Sequence, residues 1–196
     1  MNVILGVGDT VNNSINKKTK DCQRIIFGDP NNHKYAEIIT FCNCSSSGNY
    51  ALAIGLNPAL MNPQRFDSTN RKIANYLKNY QKNYDGYVLL NLYATITNSS
   101  YTLCKHIKQN PMDLSNNMQN HVLNAMKIFS GDIYLFWGPN ALQKRLLTNA
   151  EILFYIQQSL TIKNYYYSTD SNQKFVHPGD TTFTGFNKLN SIQSIL

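Results

Sequence analysis

The sequence predicts an α/β protein: a three-layer α/β/α sandwich on a central, mainly parallel four-stranded sheet. Three observations carry this reading. Short apolar runs alternate with stretches of helical spacing. The runs are apolar at nearly every position, as strands covered on both faces are. The 196 residues are 42% hydrophobic and only 15% charged, enough for one globular domain with a real core.

The single domain divides into an N-terminal extension of turns and short strands, residues 1–45, and a core, residues 46–196. Residues 8–35 are rich in Asn, Lys, Asp and Gly, and 37–42 read as a strand. Residues 50–56 form an apolar run that ends at Asn57-Pro58, a buried strand followed by a turn, because proline cannot continue a sheet ladder. Ile73, Tyr76, Leu77, Tyr80 and Tyr84 give a helix over 69–84, with Ser68 or Thr69 as its N-cap. A second buried strand covers 87–92. Met118, Val122, Leu123, Met126 and Phe129 mark a helix over 115–129. A third strand, 133–137, is closed by Gly138-Pro139. Helices are expected from 139 or 140 to about 147 and over 152–160, a fourth strand over 161–167, and a terminal helix over 188–196. Ligands of such sheets bind beyond the carboxyl ends of the strands. Asn57, Asn91, Trp137 and the loop before His177 are therefore the positions of interest.

Lys plus Arg outnumber Asp plus Glu by 18 to 11, a net charge of +7, which suits a polyanionic partner. Thirteen Tyr and nine Phe offer flat surfaces for bases, although most such rings are core residues. No apolar run is long enough to span a bilayer and no signal-peptide layout opens the chain, so a cytoplasmic protein with no membrane partner is expected. Cys22, Cys42, Cys44 and Cys104 are then reduced thiols. Their spacing matches neither a zinc site nor an iron–sulfur cluster, so no metal and no cofactor is expected.

The strand ends carry a more specific pattern. Gly55-Leu56-Asn57-Pro58 resembles the first motif of the uracil-DNA glycosylase superfamily, a Gly-x-(Asp/Asn)-Pro loop after a strand. Leu89-Leu90-Asn91-Leu92 resembles the strand whose Asn reads the uracil edge. Leu135-Phe136-Trp137-Gly138, with Ala141, Gln143 and Lys144 after it, is similar to the superfamily's leucine-tryptophan-glycine strand and following helix. His177-Pro178, followed by Gly185-Phe186-Asn187, resembles its His-Pro motif and Gly-Phe-Phe stretch. The chain is also similar to an uncharacterised bacterial domain family with LNPS, NLFA, WG and HP signatures, here LNPA, NLYA, WG and HP.

The resemblance implies a uracil-DNA glycosylase-like sandwich. It implies a monofunctional, monomeric DNA-repair hydrolase that flips uracil from single- or double-stranded DNA, cuts its N-glycosidic bond and leaves an abasic site. Asn57 and His177 would be catalytic. Asn57 would orient the water, as an amide too weak to be a strong base, so that catalysis is slow. His177 would donate to uracil O2 as charge develops. Asn91 would read the base, Phe66 would stack on it, and Leu56 and Pro58 would line its pocket. Asp67 or Asp180 would assist the water, unless Asp67 simply caps the helix. Asn57 has its own structural alternative, a turn residue bonding local backbone, and Asn91 another, a buried amide satisfied by backbone.

Two departures follow from the same comparison. Fast members carry Tyr where this chain has Ala59, so thymine is poorly excluded unless Leu60 or Met61 does it. The Leu wedge after the His-Pro motif aligns near Thr181, leaving Gly179, Thr181 and Phe183 to meet DNA, with Phe183 as wedge. Inhibitor proteins that grip the Leu wedge should then bind poorly. Two other functions stay open: a non-catalytic DNA-binding module on a degenerate glycosylase fold, and a nucleotide-processing enzyme.

Overall fold

A computed structural model describes residues 14–18, 22–29, 33–41, 48–58, 67–79, 84–97, 99–109, 118–143 and 145–196. Eight strands form one sheet: β1 (Ser14–Lys18), β2 (Cys22–Asp29), β3 (His33–Phe41), β4 (Tyr50–Gly55), β5 (Gly86–Asn91), β6 (Ile133–Leu135), β7 (Tyr165–Asp170) and β8 (Phe183–Lys188). Their order across the sheet is β1-β2-β3-β5-β4-β6-β7-β8. The pairs β4–β5, β4–β6 and β6–β7 are parallel. The pairs β1–β2, β2–β3, β3–β5 and β7–β8 are antiparallel. The α/β class is borne out. The four-stranded, mainly parallel sheet is corrected: the sheet is mixed and twice as wide, because the N-terminal meander adds to one side and β8 to the other.

Period-two alternation sorts the strand residues onto two buried faces. Leu52, Ile54, Val88, Leu90, Ile133 and Leu135 enter one core with Leu103, Val122, Met126, Ile152 and Ile156. These last five lie on α2 (Ser100–Gln109), α3 (Met118–Ile128) and α5 (Ala150–Ser159). Ala51, Ala53, Tyr87, Leu89, Tyr134 and Phe136 enter the other core with Ile73 and Leu77 of α1 (Ser68–Asn79). Helices thus cover both faces, which explains why the strands read as unbroken apolar runs.

Several boundaries differ from expectation. The N-cap of α1 is not Ser68 or Thr69 but Asp67, in the capping role that was its alternative: its carboxylate accepts from the Asn70 amide at 2.8 Å. The helix after Pro139, α4, runs only from Asn140 to Gln143. The fourth strand starts at Tyr165, after the turn that closes α5. The chain end holds β8 and a 3-10 turn, Ile192–Ile195, in place of a terminal helix. No helix among the described residues is long and apolar enough to cross a membrane.

Candidate active site

The carboxyl ends of β4, β5 and β6 open into a cavity of about 430 Å³ lined by Asn57, Asn91 and His177. Leu56, Pro58 and Asp67 also contribute to its wall. Its volume is within the range of small-molecule sites.

The loop after β4 is laced to the loop after β5. Leu92 N donates to Gly55 O at 2.9 Å, Tyr93 N to Leu56 O at 2.9 Å, and Thr97 N to Pro58 O at 3.1 Å. This lacing holds Asn57. Its Nδ2 donates to the Thr97 carbonyl and hydroxyl, each at 3.0 Å, and to Pro58 O at 3.2 Å. The amide nitrogen is thereby spent on local structure. The amide oxygen remains as an acceptor, able to orient a water but not to deprotonate one strongly. The Nδ2 bonds to Pro58 O and Thr97 O are those of the structural alternative, a turn residue bonding backbone.

Asn91 ends β5 and is 3% exposed. Its buried Nδ2 has no acceptor among the described residues. An orphaned buried amide costs about 1–3 kcal/mol, so a backbone-satisfied amide is not what is found. Gly55 makes room for it: a Cβ there would lie 2.6 Å from Asn91 Oδ1 and 2.7 Å from Phe136 Cε2. Trp137 brings to the same cavity a second buried donor, Nε1, that has no partner among the described residues.

His177 arrives on the loop between β7 and β8. Val176 N donates to Ser168 O at 3.0 Å, and the Ser168 hydroxyl returns a bond to Val176 O. Asp180 N donates to His177 O at 2.8 Å, closing the turn. Within that turn Gly179 N donates to His177 Nδ1 at 3.0 Å. An Nδ1 that accepts carries no proton, so the neutral ring holds its proton on Nε2. Burial pushes the imidazole below its ordinary pKa; Asp67 and Asp180 pull it back up, and Lys72 adds to the depression. At neutral pH the ring is therefore neutral and offers an Nε2–H. Phe136 lies against it, ring centroids 6.3 Å apart. Gly138, at φ +74°, leaves the space that His177 Cβ fills: an added Cβ would lie 3.3 Å away.

The other expected residues divide. Asp67 lines the cavity, but both carboxylate oxygens serve α1, at 2.8 Å to Asn70 N and 3.0 Å to Asn70 Nδ2. Asp180 also lines it. Bonds from the Thr182 amide and hydroxyl hold its carboxyl below the usual range, and Lys72 Nζ donates to its carbonyl at 2.6 Å. Thr181 is exposed on the same turn as Gly179. Phe183 is half-buried in β8, with its ring against Phe186 at 5.5 Å and Lys72 Nζ 5.8 Å from its centroid. As placed, that ring is part of the packing and not a free wedge. Phe66, Ala59, Leu60, Met61, Cys42 and Cys44 lie outside the described residues.

Three residues of the site were not anticipated. Thr97 orients Asn57, and a Thr in a polar loop gives no signal of that. Phe136 ends an apolar run and reads as core. Lys34 sits in the N-terminal extension, is 2% exposed, and lines the cavity.

Fold and site define an α/β protein with a polar pocket at the carboxyl ends of parallel strands. Residues 42–179 match the family described as Protein of unknown function (DUF1643), and the chain belongs to that family. No curated protein and no solved structure matches it.

Proposed function

We propose that this pocket is the base pocket of a uracil-DNA glycosylase. The observation that carries the reading is the convergence of Asn57, Asn91 and His177 on one cavity, from the loop after β4, the end of β5 and the loop between β7 and β8. The strand order β5-β4-β6-β7 forms the parallel stretch on which those motifs sit, in keeping with a glycosylase-like sandwich.

Hydrolysis breaks the C1′–N1 bond, and its electron pair departs on the base. Water adds to C1′ and gives up a proton, leaving an abasic sugar. Asn57 would position that water through its amide oxygen. Asn91, whose buried Nδ2 has no acceptor among the described residues, would pair with the uracil edge. The Nε2–H of neutral His177 would donate to O2 as negative charge gathers there. The missing carboxylate at position 57 fits a slow enzyme.

The +7 net charge suits DNA as partner, and the exposed Thr181 turn beside the cavity is the nearest surface to meet it. Purified protein should release free uracil from a uracil-containing oligonucleotide, measured by chromatography, and leave deoxyuridine monophosphate intact. Turnover of the mononucleotide alone would favour the nucleotide-processing alternative. Salt-dependent DNA binding without release would favour the non-catalytic one.

A further inference from the structure

Lys34 and Glu37 stand three apart on β3, a spacing that normally points side chains to opposite faces. A bulge changes this. Phe27 of β2 opposes Ala36, while Gly28, at φ +135°, opposes Lys34, so Tyr35 is an extra residue in the ladder. Bulges of this kind re-aim side chains beside active sites. Lys34 is thereby brought to Glu37, and its Nζ donates to Glu37 Oε2 at 2.8 Å. Arg24 of β2 bonds the other carboxylate oxygen. Glu37 is fully buried, and Lys34 and Arg24 nearly so.

Lys34 and Arg24 thus share the Glu37 carboxylate. Burial in itself raises the Glu37 carboxyl. The charges of Lys34 and Arg24, with their hydrogen bonds, overcome that and hold it below its ordinary range. Burying three ionised groups is costly even when they pair, and apolar side chains commonly serve stability as well. Glu37 takes one donor of the Lys34 ammonium, which has three. Lys34 lines the same cavity as Asn91, whose own buried Nδ2 has no acceptor among the described residues.

We infer that Lys34 is a further catalytic residue of this pocket: its ammonium, pinned by Glu37, stabilises an oxygen of the departing base as the base becomes an anion. This rests on the glycosylase reading above. When the C1′–N1 bond breaks, the electron pair spreads from N1 onto the two carbonyl oxygens of uracil. His177 serves one oxygen; Lys34, which lines the same cavity as Asn91, serves the other. The freed anion then takes a proton from water. Nothing in the 42–179 family match covers position 34, so the residue extends the site beyond that match.

The test is the dependence on leaving group. Single-turnover release is measured for wild type and Lys34→Met, on oligonucleotides carrying uracil or 5-fluorouracil. The fluorine makes the base a better leaving group that needs less help. Lys34→Met should lose on the order of 100-fold on uracil, as when one oxyanion donor is removed, and clearly less on 5-fluorouracil. Glu37 keeps Arg24 in this variant, which favours folding. Should Lys34→Met lack a cooperative melt, Lys34→Gln replaces it, with the same pattern expected. Equal losses on the two bases, or none, overturn the inference while wild-type release upholds the glycosylase reading. No release by wild type overturns both.

Discussion

The Gly179 amide donates to Nδ1 of His177 at 3.0 Å, and this one bond fixes which nitrogen of the ring faces a ligand. The turn Pro178-Gly179-Asp180 is thus a device for holding a neutral histidine with its proton outward. In a nitrogen-15 spectrum at neutral pH, Nδ1 of His177 should be unprotonated and Nε2 protonated. Gly179→Ala places a Cβ 2.9 Å from Nδ1. A displaced imidazole should cost on the order of 100-fold in base release, with little change in melting temperature because residue 179 is exposed.

The pH dependence follows from the direction of the His177 shift. Its folded pKa lies below the ordinary histidine value of about 6.5. The unfolded chain therefore binds a proton that the folded chain does not, between the folded pKa and that value. Stability from this group is complete above the ordinary value and falls as pH drops through the window. Protonation also breaks the Gly179 bond, because Nδ1 can no longer accept. Base release should fall on the acid side with a midpoint below the ordinary histidine range. A midpoint above it would contradict the neutral-ring assignment.

Asn91 separates activity from stability. Its Nδ2 gives the fold no hydrogen bond among the described residues, so Asn91→Ala should leave the melting temperature unchanged or slightly raised. Release of uracil should fall by about 100-fold. A drop of several degrees in melting temperature would show the amide to be structural.

Gly55→Ala should do the reverse. The added methyl meets Asn91 and Phe136 at under 3 Å in a fully packed core. Destabilisation of about 1–3 kcal/mol is expected in denaturant unfolding, together with loss of activity.

Asn57→Asp places a carboxylate where Nδ2 now donates to two carbonyls and a hydroxyl. Under the glycosylase reading fast members carry Asp at this position, but this loop is built around an amide donor. The variant should be destabilised by about 1–3 kcal/mol and should gain no rate at neutral pH. A faster enzyme would show that the loop adapts.

Why some of this was legible in the sequence is a matter of period. Strands β4 to β7 are covered on both faces, so they stand out as apolar runs, and the polar residues ending them, Asn57 and Asn91, mark the pocket. The flanking strands are less regular. β2 alternates buried and half-buried residues around the polar Gln23 and Arg24, and β8 carries Gly185 and Asn187. Lys34 was out of reach for a different reason. Its burial goes with a bulge and with the Glu37 carboxylate it shares with Arg24 of the neighbouring strand, and a lysine in a polar segment reads as surface. Asp67 took the cap that Ser68 or Thr69 could equally have filled, since all three residue types cap helices well.

The glycosylase reading stands or falls most directly on one gel. A labelled oligonucleotide with a single uracil is incubated with wild type or His177→Ala, then treated with alkali to break abasic sites. Strand breakage at the uracil by wild type, much reduced in His177→Ala and absent without alkali, is the predicted result. Absence of breakage with wild type, or equal breakage with the two proteins, would contradict it.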